Sequence, residues 1–332
     1  MKKERLNSFQ KTLLCIVVVT FIVINIAMYI LLTGRLTNNF SNVSQAKMIE
    51  VERYLPFTDS PYLAHVDTDF VLEGDLPVLD GAAALVPVYG AVIDSVYPAG
   101  SVTYEGGVFS DDNYYGENFA ADSKMQYHNT IRGFNALVDG NVDLFFTAAP
   151  SEDQMKYAQE KGVEIALVPI GLEGFVFFVN AENPVDTLTT EQIRSIYSGS
   201  IRNWSEVGGP KRPINPVTRI AGSGSQSVMD RFMGQLPFGK KDLSTLAGAS
   251  IGYSFRFYFQ GIVDNAGVKM LKVNGVEPSV DSIRSGEYPL ISEFYVAYRK
   301  NDTDPAVLSL VDWILSEDGQ RLIEASGYVP IY

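Results

Sequence analysis

The segment TRIAGSGSQSVMDRFM, residues 218–233, carries side chains suited to gripping a small anion. Glycines at 222 and 224 allow close backbone approach, and Ser223, Ser225 and Ser227 offer hydroxyls. The VMDRFM that follows has helical character, so the turn opens a helix whose first N–H groups lack intrahelical partners and favour negative charge. Arg219, just upstream, can present a planar fork of donors to an oxyanion. The same residues would also make a plain serine-capped helix after a flexible turn. A hydrolase elbow does not fit, because the G-x-S-x-G spacing is absent and neither histidine has a place in a triad.

The rest of the composition narrows the chemistry. The only cysteine is Cys15, inside an apolar stretch, and the two histidines, His65 and His128, stand far apart. Neither a disulfide within the chain nor a thiolate or histidine metal site is expected, and each histidine reads as a surface or loop residue. No cofactor is implied and no catalytic residue is assigned. A net charge of −13 argues against a nucleic-acid partner, which would need clustered Lys and Arg. A small anion is still acceptable, since distant charges are screened beyond roughly 8 Å at physiological salt.

The elements that must position such a site begin after an apolar N-terminus. Leu13 to Thr33 is nearly uninterrupted, long enough to cross about 30 Å of hydrocarbon. Lys2, Lys3, Arg5 and Lys11 precede it and only Arg35 follows closely. The expectation is a cytoplasmic tail over 1–12, a retained transmembrane helix over 13–33, and everything later outside the cell membrane. Residues 34–75 read as an extracytoplasmic spacer broken by Pro56 and Pro61, with a short helix near 46–54.

From residue 76 strand-like and helix-like segments alternate, which implies an α/β fold with mostly parallel sheets. VDLFFTA (142–148) reads as a strand, and Ser151 with Gln154 as a capping box that opens a helix ending near Gly162. Strands are expected over 164–169 and 175–180. Thr189 with Gln192 opens a helix closed near Gly199, and PVTRI (216–220) reads as a strand. Asp304 and Pro305 start a last long helix that carries Trp313 and ends near Gly327. The insert 104–127, rich in Gly, Asp and Asn, reads as a loop near a cleft mouth or a partner surface. The aromatics Tyr104, Tyr114, Tyr115, Phe255, Phe257, Tyr258 and Phe259 read mostly as packing residues.

The stretch GFVFFVNAENPVDTLTTEQIRSIYSGSIRNWSEVGG (174–209), followed by TRIAGSGSQSVMDRFM, resembles the PstS-type phosphate-binding proteins of ABC importers. The likeness extends through LPVLDGAAALVPVYGAV (76–92), VDLFFTAAPSEDQ (142–154), SIGYSF (250–255), residues 271–299 and the C-terminal 307–332. It implies a two-lobed, periplasmic-binding-protein-like type II clamp over 76–332. Lobe 1 would take about 76–168 and 294–332, lobe 2 about 172–290, with a hinge near 171–175 and 289–294. It also implies phosphate or a related oxyanion as ligand and ABC permease subunits as partners. Arg219 matches the family arginine, and Ser223, Gly224 and Ser225 match its serine–glycine–hydroxyl turn. Thr130 falls where the family places a serine at a helix start, a position an ordinary helix cap would also fill. The Gly81–Val86 turn, with Ala83 and Ala84, would offer backbone N–H groups.

Three departures bear on selectivity. Ala82, Ala83 and Ala84 stand where the family commonly has a hydroxyl, Ala148 where an aspartate is frequent, and Ala221 where an acidic residue follows the arginine. A carboxylate can only accept a hydrogen bond, so it selects a ligand that still carries a proton. The competing expectation is therefore a membrane-tethered sensor or accessory domain with altered or lost phosphate specificity.

Overall fold

The computed structural model describes residues 9, 14, 16–29, 49–109, 115–240, 248–263, 267–302 and 304–332. Met1–Ala46 and Lys47–Tyr332 are separate structural units. In the first, residues 16–29 are helical, and among the described residues no helix is long and apolar enough to cross a membrane. Of the expected spans, 1–12 lies outside the described residues save residue 9, 13–33 is described at 14 and 16–29, and the spacer 34–75 is described from residue 49.

In the second unit Leu79–Gly81 (β1) runs through the tight turn Ala83–Leu85 into Val86–Val96 (α1). Pro87 sits in its first turn, where the absent N–H sacrifices no helix bond. Tyr104–Phe109 (β2) and Tyr115–Phe119 (β3) pair antiparallel, so most of the expected loop insert is a hairpin. Its tip, with Tyr114, lies outside the described residues. Asn129–Val138 (α2), Leu144–Ala148 (β4) and Glu152–Glu160 (α3) follow. Ser151 and Gln154 form the expected reciprocal capping box, at 2.9 and 3.3 Å.

Ile165–Asn180 (β5) is one continuous strand, where the sequence suggests two on either side of residues 170–174. It stays extended because Ile291–Arg299 (β11) pairs along its first half, with a bulge between Phe294 and Tyr295 that accommodates Pro169. Between these long strands come Thr187–Leu188 (β6), Thr190–Ser198 (α4), Ile214–Pro216 (β7) and Gly224–Met233 (α5). Ala249–Phe255 (β8), Arg256–Val263 (α6), Val268–Met270 (β9), Lys272–Val273 (β10) and Val280–Arg284 (α7) complete that stretch. Thr189 caps α4 and Gly199 ends it in the left-handed region, as expected. The strand expected over 216–220 stops at Pro216, because the N–H of Arg219 bonds side chains instead. The last helix is two, Pro305–Leu315 (α8) and Glu317–Ala325 (α9). Ser316 breaks it by turning extended and capping the second.

The main sheet has seven strands in the order β1-β4-β11-β5-β8-β7, with β9 also on β5. It is mixed, not mostly parallel. β1–β4 and β7–β8 are parallel, while β11 and β5 run antiparallel to each other and to their other neighbours. These two are the strands that carry the chain from one half of the sheet to the other, so their direction is set by the crossing.

Two large apolar clusters lie along the sheet. One gathers Val88, Tyr89, Phe146, Phe294, Trp313 and Tyr328; the other gathers Phe175, Phe177, Tyr197, Trp204, Met229 and Tyr253. Each such buried side chain contributes about 1.5–3 kcal/mol relative to exposure. Phe255 and Phe259 are core residues, as expected of the aromatics. Residues 49–75 do not hang free as a spacer. Val51 and Leu72 are buried in the first cluster, and Trp313 Nε1 donates to Thr68 Oγ1 at 3.2 Å.

Where β5 passes between the clusters, Glu173 and Arg256 form a buried ion pair, with Oε1 and Nε 3.3 Å apart. Glu173 also accepts the N–H groups of Gly174 at 2.8 Å and Phe257 at 3.3 Å, and Arg256 donates to the carbonyl of Gly327 at 2.7 Å. Burial pushes the Glu173 carboxyl up to about 7, while Arg256 and the two backbone donors pull it the other way.

Candidate functional site

On the side of the second cluster the serine–glycine turn opens α5. Gly222 takes φ 78°, a conformation that suits glycine, and Ser223 turns extended as the helix cap. The Ser223 hydroxyl oxygen accepts the N–H of Gln226 at 3.3 Å, leaving its own proton for a ligand oxygen. Ser227 is spent internally, donating to the Ser223 carbonyl at 3.1 Å. The hydroxyl of Ser225, partly exposed in the first turn, has no hydrogen bond among the described residues.

Arg219 is fixed through its backbone. Its N–H is shared by Gln226 Oε1 at 2.8 Å and the Tyr253 hydroxyl oxygen at 3.1 Å, and that hydroxyl donates to Gln226. Gln226 Nε2 in turn donates to Asp230 at 2.7 Å. Among the described residues no carboxylate pairs with the Arg219 guanidinium. Its charge acts instead on two phenols, Tyr253 and Tyr258, each pushed up to about 12 by burial and drawn back by Arg219. An arginine so held remains available to an anion.

On the first side two turns lie together, Asp80–Leu85 entering α1 and His128–Thr130 entering α2. Asp80 is fully buried and joins them. Its Oδ1 accepts the N–H of Gly81 at 2.7 Å and of His128 at 3.1 Å, and its Oδ2 meets His128 Nδ1 at 2.7 Å. That side-chain bond raises the His128 imidazole above its usual value, against partial burial and the charge of Arg132. Next to it Asn129 takes φ 62°, unusual for a residue with a side chain. Its Oδ1 accepts from Thr130 N–H at 2.7 Å, Thr130 Oγ1 at 3.2 Å and Ala83 N–H at 3.4 Å. The carbonyl of Ala84 is held by the Tyr328 hydroxyl.

The two sides meet. A Cβ placed on Gly224 would lie 3.9 Å from Thr130 Oγ1 and 4.0 Å from the Ala148 methyl. One on Gly222 would lie 3.2 Å from Ile131 Cδ1. Arg231 of α5 donates to the carbonyl of Ala149, just beyond β4, at 3.3 Å. The starts of α2 and α5 therefore face one another, with Thr130 beside Gly224 and Ile131 beside Gly222, and Ala83 joined to Thr130 through Asn129. Arg219 and Ser223 stand on the α5 side. Facing helix starts with one arginine nearby have the chemistry to accept an oxyanion, through neutral N–H and O–H donors and a single positive charge.

Asp80, His128, Asn129, Gln226 and Tyr253 do not stand out in the sequence. A usable signal lies only in the Q that follows G-S-G-S, where a buried amide can lock the preceding turn.

Residues 111–318, more than half of the chain, match the PBP superfamily domain. The chain belongs to the PBP superfamily. It is 30% identical over 222 residues to the phosphate-binding protein PstS of Staphylococcus epidermidis, covering 60% of this chain and 67% of that one. It is 26% identical over 237 residues to PstS of Bacillus subtilis, covering 66% of this chain and 75% of that one. These place it among the PstS-type PBP proteins. A candidate phosphate ABC transporter substrate-binding protein from Clostridium perfringens, solved with bound phosphate, shares the fold. Its TM-score is 0.54 at 21% identity, over 78% of this chain and 100% of that one. An ABC-type phosphate transport receptor from Vibrio cholerae has a TM-score of 0.51 at 20% identity, over 77% and 99%. In this PBP domain Ala148 lies beside Gly224, so the side chain facing the start of α5 there is a methyl and not a carboxylate.

Proposed function

We propose that this chain is an extracytoplasmic solute-binding protein that captures phosphate or a similar oxyanion for an ABC importer. The observation that carries the reading is the facing of the α2 and α5 starts around Thr130 and Gly224, with Arg219 unpaired by any carboxylate among the described residues. The two apolar clusters act as the lobes of a clamp, about 76–168 with 294–332 and about 172–290, and the crossings of β5 and β11 act as hinge. Arg219, Ser223, Gly224 and Ser225 hold the ligand from one lobe, Thr130 and the Ala83–Ala84 turn from the other. The apolar run 13–33, with basic residues before it, anchors the protein in the cell membrane with its N-terminus inside. ABC permease subunits are the partners.

A second reading has its own support. Ala82–Ala84, Ala148 and Ala221 leave these positions without hydroxyls or carboxylates, which favours a membrane-tethered sensor with altered or lost phosphate specificity.

Calorimetric titration of the full chain with phosphate and then sulfate at pH 7 separates the two. Saturable phosphate binding that falls at least about 30-fold in Arg219→Ala supports the importer subunit, because removing a charge-assisted hydrogen bond from a confined site costs about 2–5 kcal/mol. Absence of heat with either anion would remove phosphate as the ligand and favour the sensor.

A further inference from the structure

We propose that Asn129 sets ligand choice and affinity at this site, because its side-chain oxygen already occupies the place among the first-side donors that a ligand oxygen would take. The inference rests on the oxyanion reading and sharpens it.

Three donors from two chain segments point at this one atom. Thr130 gives its N–H and its hydroxyl, at 2.7 and 3.2 Å, and the start of the α1 turn gives the N–H of Ala83 at 3.4 Å. These are the groups that would greet an oxyanion from the first side. The identity of the atom is fixed by its surroundings, since an amide nitrogen could not accept from any of them. The backbone is bent to put it there. Asn129 holds φ 62°, a region a residue with a side chain enters at a cost, though asparagine more readily than most.

A ligand can meet this arrangement in two ways. An anion must either displace the amide oxygen, breaking its hydrogen bonds before making its own, or bind with fewer first-side donors. The first alternative lowers affinity, and the second favours a ligand whose shape leaves that position empty.

The test is a substitution that should improve binding. Asn129→Gly removes the oxygen, and the left-handed backbone suits glycine, so the fold is preserved. Phosphate titration of the unaltered full chain, Asn129→Gly, Asn129→Asp and Asn129→Gly/Arg219→Ala is the experiment, with thermal melting as the fold control. Asn129→Gly is expected to bind phosphate about tenfold more tightly, the scale of one displaced polar contact. Asn129→Asp is expected to bind more weakly than the unaltered chain, because a carboxylate would sit where the anion must go. Adding Arg219→Ala is expected to abolish the gain, which shows that the gain arises at the same site. Equal or weaker phosphate binding by a fully folded Asn129→Gly would overturn the proposal and leave the oxyanion reading standing. Binding by Asn129→Gly but not by the unaltered chain would support the proposal while removing phosphate as the natural ligand. Binding by neither would overturn both.

Discussion

The two sides of the cradle are built in opposite ways. The α5 side gathers its parts from one short segment, with Arg219, Ser223, Gly224 and Gln226 within eight residues of one another. Its donors are free to face a ligand because Gln226 and Tyr253 hold the backbone from behind. The α1–α2 side is assembled from residues 48 apart in sequence and is tied together by a buried carboxylate. Its α1 turn is built of Ala82, Ala83 and Ala84, and its N–H groups are partly turned onto Asn129. On the proposed reading the α5 side serves ligand contact alone, while the other side combines contact at Thr130 with a structural joint at Asp80. Substitutions on the α5 side should therefore alter binding, and those at the buried carboxylate Asp80 that ties the joint should alter folding first.

The largest expected effect is on stability, at the joint. Asp80→Ala would orphan the N–H groups of Gly81 and His128 together and leave the imidazole without its carboxylate. A loss of about 3 kcal/mol in chemical denaturation is expected. A loss below about 1 kcal/mol would mean that the joint is not what holds the two turns. Gln226→Ala on the other side should act differently. It should weaken phosphate binding about tenfold by freeing the backbone of Arg219, with a smaller stability change of about 1–2 kcal/mol. Equal effects of both on binding and folding would erase the distinction between the sides.

A third contrast is with pH. His128 is raised by its bond to Asp80, so the folded protein holds that proton more tightly than the unfolded chain. The stability this adds is complete below about pH 6.5, the ordinary histidine value, and is lost as pH rises through the folded value. Glu173 acts in the same direction from the crossing. Burial lifts its folded value to about 7, so the folded state binds the extra proton and stability declines between the ordinary carboxyl range and about pH 7. Melting temperature followed from pH 5 to 8 should fall, and His128→Gln and Glu173→Gln should each remove a separate part of the fall. A profile unchanged by His128→Gln would show that the joint does not depend on the imidazolium. The smallest effect is expected at Gly222→Ala, about 1 kcal/mol, from the left-handed backbone and the 3.2 Å approach of Ile131.

The same contrast explains what can be read from the sequence. Local devices are legible, as at Ser151 with Gln154, Thr189 with Gln192, and the Ser223 turn, because cap and capped group lie three residues apart. The continuity of β5 is hidden because Gly171 and Gly174 look like a break, while the pairing that keeps the strand extended comes from residues 291–299. Ser316 looks like a mid-helix residue, yet its own cap splits the helix. The arginine and serine side of the site is a compact motif and is visible. Asp80, His128 and Asn129 are each ordinary in isolation and gain meaning only when β1 and α2 are brought side by side.

The central claim is that an oxyanion is held between these two sides. A crystal structure of the full chain grown with phosphate tests it most directly. The expected result is one phosphate between the starts of α2 and α5, contacted by Arg219, by Ser223, Gly224 and Ser225 and by Thr130, with Asn129 Oδ1 withdrawn or sharing the cradle. Phosphate bound elsewhere, with Arg219 turned away and Thr130 still closed on Asn129, would contradict it.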